Sequence, residues 1–429
     1  DLRSGSYAGN SKIVIRNNGS KTARVNTTIF NGNYNNVHQR HSHSLGPKKI
    51  VEIDPAGSLD HASALVVASQ DISVMVRQEL PGSVYASYLG VSEPTSEVFV
   101  PLVHRKNSGW SSQLHIQNAG FTRAEVTIQF KPWGGLGTSC TMNESIKPYL
   151  TKRIDLQWVG ENCLTNAKEP VFVGSATITS SNSQPLAVTY PQQKRLGSSI
   201  VSLMESGKTG AAGTTTYAPL IQNFNSYYKV ISGIAAQNTN TAANLIQRRF
   251  RNSGGPICAA WITSVAGRYS LIDVQPPGQS GGCAPVLTAR IKNLNGVGVS
   301  ATVNQFWSGA SPYPDYWTDY PAVSNPATTV IIPWWNDQSG WDSALVIRNT
   351  SGSSASGNVR FYYANGLLAG SPVPFSLAGN GYAIVDAPVG GLKGSARVTS
   401  SQKVAVVVNH FNPSSGGDKI MSNIGDHKP

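Results

Sequence analysis

The sequence predicts an all-β protein built of four tandem Ig-like or jelly-roll-like β-sandwich domains in a row. Alternating β-branched and aromatic runs, bounded by Gly, Asn, Ser and Pro, occur throughout its 429 residues, and helical periodicity is almost absent. One strand pattern that ends in Asn recurs four times at intervals of roughly one hundred residues, the size of a sandwich domain. Two cysteine pairs occupy matching places in neighbouring repeats, which supports the same alignment.

The recurrent strand defines the repeat. Its four copies are SKIVIRNNG, SQLHIQNAG, SGIAAQNTN and SALVIRNTS, so the repeated Asn falls at Asn17, Asn118, Asn238 and Asn349. Each copy is followed by a second strand, a short strand such as KRIDLQ, and a closing hairpin such as GSATITSSNSQPLAVTY. Each strand has one apolar face, and two sheets must stack to bury those faces. The predicted domains are residues 1–95, 96–212, 213–327 and 328–429.

The opening strand of the first repeat is predicted to be missing or short. Repeats two to four open with the Pro-containing strands VFVPLV, TYAPLI and VIIPWW, but only the polar stretch DLRSGSYAGN is available to the first. A sandwich without an edge strand exposes apolar side chains and unpaired amides. A strand from another chain can fill such an edge. The alternatives are a weak edge strand at residues 1–8 in a monomeric stalk, or removal of the strand with a longer precursor.

The closing strand KIMSNIG, residues 419–425, lies near the end of the sequence, and we expect no following domain to cover it. We therefore expect Ile420, Met421 and Ile424 to form an interface with another subunit. Head-to-tail contacts between different surfaces that do not close on themselves produce filaments. Together, the two ends predict a head-to-tail homopolymer, assembled by strand addition.

The amino-acid composition limits which other classes of partner are expected. Only 13% of residues are charged and the formal net charge is +12, with no block of five like charges and no basic stripe with placed aromatics. We expect no nucleic-acid binding, whereas cell-envelope glycans remain possible partners of a mildly basic surface. The sequence contains no run of eighteen apolar residues, so it predicts no membrane span, and residues 1–20 lack a signal-peptide core. A secreted, cell-surface protein whose signal peptide has been removed is expected.

The cysteines predict two disulfides within domains. Cys140 and Cys258 lie at matching places in the second and third repeats, and Cys163 and Cys283 follow at similar distances. The repeat therefore favours pairing Cys140 with Cys163 and Cys258 with Cys283. Free buried thiols are the alternative, and a zinc site is disfavoured because no Cys-x-x-Cys occurs. Disulfides indicate a compartment outside the cytosol.

Candidate catalytic groups are few. Neither an H-E-x-x-H nor a P-loop pattern occurs. The stretch VHQRHSH contains His38, His41 and His43, of which the last two share a strand face and would need a third ligand such as His61 to hold a metal. A solvated polar loop is the simpler interpretation. We predict no enzyme activity, no metal and no cofactor.

Two further features bear on interactions. The Pro-bounded stretch SPYPDYWTDYP contains Tyr313, Tyr316, Trp317 and Tyr320. Aromatic residues at this density outside a strand predict packing between domains or subunits, with a sugar-stacking platform as the alternative. Sequons predict possible glycosylation at Asn18, Asn26, Asn143 and Asn349.

The pattern PLV…GW…L.I.N…A.V…F, followed by GSA.V.SSQ..AVVVN, resembles the tandem β-sandwich repeats of bacterial cell-surface and secreted filament proteins. The resemblance covers nearly the whole chain and is clearest in repeats two and four. It implies surface display or extracellular assembly and carries no active site. The predicted function is an extracellular structural subunit of a pilus-like fibre, sheath or surface layer. The alternative is a monomeric cell-surface adhesin or glycan-binding stalk.

Overall fold

The structure is a computed structural model. It describes residues 2–4, 10–32, 36–57, 59–81, 83–159, 163–164, 171–196, 199–204, 207–208, 212–223, 230–274, 282–307, 317–412 and 420–428. The regular structure of these residues is β-strand, paired antiparallel in several sheets, so the predicted all-β sandwich class is confirmed. A unit is defined below as a set of strands that forms two facing sheets. The domain boundaries given above stay predictions.

The strands are numbered in chain order. The first unit comprises β1 (Leu2–Ser4), β2 (Asn10–Asn17), β3 (Ala23–Asn31), β4 (Asn36–Leu45), β5 (Ile50–Ile53), β6 (Leu59–Ala68), β7 (Ile72–Leu80) and β8 (Val84–Leu89). The second comprises β9 (Glu97–Arg105), β10 (Trp110–Asn118), β11 (Ala124–Pro132), β12 (Cys140–Ile146), β13 (Thr151–Asp155), β14 (Phe172–Ser180), β15 (Leu186–Thr189), β16 (Gln192–Leu196), β17 (Ser199–Met204) and β18 (Gly207–Lys208).

The third unit comprises β19 (Thr215–Gln222), β20 (Val230–Asn238), β21 (Asn244–Arg251), β22 (Ile257–Val265), β23 (Ser270–Val274), β24 (Val286–Asn293), β25 (Val299–Trp307) and β26 (Trp317–Pro321). The fourth comprises β27 (Ala327–Asn336), β28 (Asp342–Asn349), β29 (Ala355–Tyr363), β30 (Val373–Leu377), β31 (Tyr382–Asp386), β32 (Lys393–Phe411), β33 (Ile420–Ile424) and β34 (Asp426–Lys428).

All four units share one strand order. One sheet places its strands in the order first, sixth, third and fourth, and the other in the order fifth, second, seventh and eighth. In the second unit β15 and β16 share the role of seventh strand, and in the fourth unit the long β32 supplies both the sixth and the seventh. Apolar residues from both sheets of each unit form a buried core between them. Period-2 alternation produces this arrangement, because alternate side chains share a face.

The repeated Asn ties together the turn that ends the second strand of each unit. Its Nδ2 donates to the carbonyl oxygen four residues later and to a carbonyl near the end of the fourth strand, and its Oδ1 accepts a backbone N–H two residues later. The residues concerned, each fully buried, are Asn17, Asn118, Asn238 and Asn349. A buried amide with three partners has its polar atoms satisfied, so this Asn stabilises the repeat.

The row of units closes on itself in space. The eighth strands contact one another in a cycle, in which β8 meets β17, β17 meets β26, β26 meets β33, and β33 meets β8. The first strand of a unit also packs on the second and seventh strands of the next, so β9 lies on β20 and β25, β19 on β28 and β32, and β27 on β2 and β7. A head-to-tail contact that closes produces a ring. The fourth unit therefore packs against the first.

Candidate interaction sites

The edge of the first unit is only partly closed. The short β1 has three residues and pairs with β6 only near Leu59 and Ala62. The corresponding β9, β19 and β27 have 9, 8 and 10 residues and pair along most of their sixth strands. Residues 63–68 of β6 are therefore paired with β3 and have no described strand on the other side.

The core of the first unit is accordingly more exposed at this edge. The inward-facing Ala64, Val66 and Ala68 are only partly buried. The equivalent residues in the other units are fully buried, and they are Ala176 and Ile178, Ala289 and Ile291, and Ala396 and Val398. On the outward face, Leu65 and Val67 remain 38% and 54% exposed.

This stretch of β6 contains none of the residue types that protect natural edge strands. Its sequence, ASALVVA over residues 62–68, contains no charge and no Pro. Edge strands are usually protected by Lys, Pro, bulges or a covering element. The sequence predicts a missing or short first strand, but it does not indicate which residues of the sixth strand would be exposed. The uncharged run in the sixth strand is the signal that could have located them.

The C-terminal strand lies inside the molecule. Within the chain β33 pairs with β32, and it also contacts β8 of the first unit. Ile420 and Met421 are 6% and 1% exposed, and Ile424 packs at the border of the third unit. The expectation that nothing in the chain covers this strand is therefore wrong, because ring closure brings the first unit against it. The contact predicted between subunits is made within one chain.

Polar contacts reinforce the seam between the first and fourth units. The Nε of Arg16 donates to Ser395 Oγ at 2.9 Å, and Asn423 Nδ2 donates to Ser87 Oγ at 3.2 Å. The Nζ of Lys428 lies 2.9 Å from Asp71 and 2.8 Å from Asp426. Burial alone would lower the pKa of Lys428, but these two carboxylates outweigh it, so the pKa is raised. The terminal strand β34 is thus held to the first unit by a charged contact.

The aromatic stretch is partly described. Tyr313 and Tyr316 lie outside the described residues. Trp317 stacks on Phe306 with centroids 4.7 Å apart and lies 4.8 Å from Trp110 of the second unit. Tyr320 is fully buried in the core of the third unit, and its hydroxyl hydrogen-bonds the backbone of Leu220. The two described residues therefore make contacts within and between units.

The sequons differ in access. Asn26 and Asn143 are exposed on β3 and β12, and Asn18 is partly buried and hydrogen-bonded to Asp71 and Ser73. Asn349 is fully buried, with its amide bonded to the backbone, because it is the repeated turn residue of the fourth unit. A glycan at Asn349 would have to displace those bonds, so this predicted site is wrong.

The predicted disulfide pairing is present. Cys140 is joined to Cys163 and Cys258 to Cys283, with Cα atoms 5.3 and 5.1 Å apart. The two bridges close loops of similar sequence separation, 23 and 25 residues, in neighbouring units. They brace the second and third units, whereas the first and fourth units meet at the seam.

The histidines of β4 do not assemble with His61. His41 and His43 stack in parallel with centroids 6.4 Å apart, opposite Thr27 and Val25 of β3. His61 lies beside Gly32, past the other end of β3, so it is roughly 15 Å or more away along the strand. His38 bonds the Ala56 carbonyl at 2.7 Å. Among the described residues, no three His, Cys, Asp or Glu side chains form a group that could hold a metal.

A buried serine–histidine contact in the fourth unit is not arranged as a nucleophile. Ser343 Oγ lies 2.7 Å from His410 Nδ1, but it also donates to the Asn336 carbonyl at 2.7 Å. Asp337 accepts the backbone N–H of Ser343 and does not orient the histidine. Burial lowers the pKa of His410 to about 3, and neither side chain reaches the surface. The pair therefore resembles a structural hydrogen bond rather than a catalytic one.

A basic cleft lies between the first and second units. Its volume is about 430 Å³, within the size range of small-ligand sites. The lining residues are Gly32, His61, Arg123, Ser145, Ile146, Lys147, Leu150, Thr151, Lys152 and Arg153. Of the cationic groups, Lys152 pairs with Glu144 at 3.0 Å. The excess of positive charge makes the cleft a candidate site for an anionic sugar.

The described residues contain no helix long and apolar enough to cross a membrane. Neither a protein-family pattern nor a curated protein sequence matches the chain. Solved structures similar to it include Thermotoga maritima 1070, at 15% identity over 28% of this chain and 97% of that one, with a TM-score of 0.22. A tetra-tandem repeat from the extending region of a large adhesion protein is 10% identical over 99% and 97%, with a TM-score of 0.12. TM-scores this low carry no argument about function.

Proposed function

We propose that this chain is an extracellular, non-enzymatic structural protein of the bacterial cell-surface type, which assembles with further subunits by β-strand addition at residues 63–68 of β6. The observation that carries the proposal is the incomplete edge of the first unit. There, residues equivalent to fully buried positions elsewhere remain partly exposed, beside an edge of β6 that no described strand pairs with. The two disulfides support a location outside the cytosol.

Strand addition would complete the first unit in the way the other units are complete. An added strand would supply backbone hydrogen bonds to β6 and cover Ala64, Val66 and Ala68. The strands that fill this position elsewhere indicate what fits, namely alternating apolar residues with one Pro, as in β9. The C-terminal strand is excluded as the donor in this proposal, because β33 and β34 are paired inside the ring.

A peptide test addresses the acceptor edge directly. A synthetic peptide with the β9 sequence EVFVPLVHR should bind the chain and raise its melting temperature, because a ligand that binds only the folded state stabilises it. A control peptide of the same composition, with the alternation scrambled, should not. No binding of the β9 peptide, or equal binding of both peptides, would contradict the proposal.

A matched pair of variants tests assembly. Leu65→Lys with Val67→Lys places charges on the open edge without disturbing a buried site, since both side chains are exposed. Leu196→Lys with Val274→Lys adds the same charge at exposed positions elsewhere. Electron microscopy should show ordered assemblies for the wild type and the control pair, and dispersed particles for the edge pair. Assemblies that persist in the edge pair would refute strand addition at β6.

Glycan binding is the second candidate function, and the basic cleft favours it. An anionic oligosaccharide should bind more tightly than a neutral one of equal length, through Arg123 and Lys147. Replacing both with Ala should weaken that binding at least tenfold, measured by calorimetry. Equal affinity for the charged and neutral sugars would remove the cleft as a glycan site.

A further inference from the structure

An arginine cluster lies at the border between the third and fourth units. Arg249 on β21 and Arg290 on β24 stand directly opposite each other, and Arg251 follows two residues after Arg249 on the same face. Tyr217 on β19 lies beside Arg290 in the next strand. These side chains are partly buried on the outward face of the sheet, where Arg348 of the fourth unit covers them.

Arg348 reaches into this cluster from the neighbouring unit. Its side chain is fully buried, and its guanidinium lies 5.0 Å from the centroid of the Tyr217 ring. Its Nη1 donates to the carbonyl of Ala289. Its Nε and Nη2 are buried without a hydrogen-bond partner among the described residues, as are the Nε atoms of Arg251 and Arg290. Arg251 Nη1 donates to the Gly255 carbonyl and Arg290 Nη2 to Gln247 Oε1. Four buried N–H donors of the cluster are therefore left with no acceptor among the described residues.

The cluster also lacks a described counter-charge. None of its four arginines forms an ion pair with another described residue. Burial, with the positive charges of Arg251 and Arg290, lowers the pKa of Arg348 to about 9, although Tyr217 acts in the opposite direction. Burial and then neighbouring arginines likewise lower the pKa of Arg251 and of Arg290. Like charges placed directly opposite on paired strands destabilise a sheet.

Equivalent positions elsewhere show that the fold does not require these charges. At the border of the second and third units the places of Arg249, Arg290 and Arg348 hold Gln129, Thr177 and Gln237, and Gln237 donates to Thr177 Oγ1 and to the Ala176 carbonyl.

At the seam of the fourth and first units the same three places hold Arg360, Arg397 and Arg16. There, however, Arg16 bonds Ser395 and Asn18, and Asp71 acts on it.

We propose that the cluster of Arg249, Arg251, Arg290 and Arg348 is a binding site for an oxyanion group: a sulfate, phosphate or carboxylate. Such a group offers several acceptor oxygens, and guanidinium groups bind it through paired, charge-assisted hydrogen bonds. The anion would occupy the unpartnered donors and offset the repulsion between facing arginines. The site is independent of strand addition at β6.

The variant Arg249→Gln with Arg290→Thr and Arg348→Gln tests the site, because it installs the residues that the chain already uses between its second and third units. The variant Lys21→Gln with Arg24→Gln and Lys403→Gln is the control, since it removes the same charge from exposed positions. Binding of sodium sulfate is measured by calorimetry in chloride buffer of constant ionic strength, with melting temperature as a second readout.

The wild type and the control should bind sulfate and be stabilised by it, whereas the cluster variant should bind at least tenfold more weakly. In sulfate-free buffer of low ionic strength the cluster variant should melt no lower than the wild type, which shows that it folds. No sulfate binding by the wild type, or equal binding by the cluster variant, would overturn the site. If dextran sulfate binds with a higher affinity per site than free sulfate, the ligand is a group carried on a polymer. If the two affinities are equal, the ligand is the free ion.

Discussion

The first and last units share a strand order but differ in how much of the sixth strand is covered by the first strand. In the first, β1 covers only the start of the sixth strand and leaves Val66 partly exposed. In the last unit, the ten-residue β27 covers the equivalent part of β32, and β34 pairs with the other edge of β27. Val398 on β32 is therefore fully buried. The difference shows that a common topology does not guarantee a closed edge. What closes an edge is the length of strand available to it.

The largest effect is expected from opening the seam that joins these two units. Met421→Ala should lower the free energy of unfolding by about 3 kcal/mol, because it leaves a cavity among Val14, Met75 and Trp334. Small-angle scattering should also show a larger radius if the ring opens. Leu196→Ala, at a 76% exposed position, is the control. Equal melting temperatures for the two variants would mean that the first and fourth units do not depend on their contact.

A matched pair of core substitutions measures the difference between the edges. Val398→Ala should cost about 2 kcal/mol, and Val66→Ala about half as much, because Val66 already meets solvent. Chemical denaturation of each variant provides the comparison. With the β9 peptide bound, the cost of Val66→Ala should rise towards that of Val398→Ala. Equal costs without peptide would show that the first unit is already sealed.

Acid should weaken the last unit through β34, which has no counterpart among the described strands of the first unit. Burial lowers the pKa of His427 to about 4, and its Nε2 accepts the Val406 N–H at 3.2 Å. Below the ordinary His pKa of about 6.5 the unfolded chain takes up a proton that the native chain does not, so stability falls between about pH 6.5 and pH 4. His427→Gln should flatten melting temperature against pH in that range.

Burial also lowers the pKa values of His104 and His410. These two residues should therefore preserve part of the slope of melting temperature against pH in the His427→Gln variant. An unchanged slope would show that His427 does not remain neutral in the native chain.

The smallest effect is expected at the exposed ion pair of the seam. Lys393→Ala removes the contact with Glu52 at 3.2 Å, where the lysine side chain is 43% exposed. Such pairs contribute about 0.5 kcal/mol or less and are screened by salt. A melting-temperature difference that exceeds the Met421→Ala effect, or that persists at high salt, would contradict this ranking.

Much of the fold could be predicted because its signals are local. Alternating strands identified the all-β class, and the aligned cysteines identified the two bridges. The repeated Asn was recognised as a marker, although its hydrogen bonds across the turn were not. For this reason the sequon at Asn349 predicts a glycan acceptor, although Asn349 is a buried turn residue.

Ring closure could not be predicted from the sequence. The contact between Arg16 and Ser395 spans 379 positions, and no periodicity encodes which surfaces of distant units meet. For the same reason the sequence predicts an intermolecular interface at Ile420 and Met421, although the chain covers them itself. The sequence does not reveal the arginine cluster, because its members come from three strands in two units.

In the proposed assembly, residues 63–68 of β6 receive a strand from a neighbouring subunit. Amide hydrogen exchange compares this segment in the isolated chain and in assembled material, with residues 396–400 of the last unit as the internal reference. In the isolated chain the amides of residues 63–68 that point away from β3 should exchange much faster than the reference, and on assembly they should become equally protected. Protection of these amides already present in the isolated chain, or fast exchange that persists after assembly, would show that no strand is added at this edge.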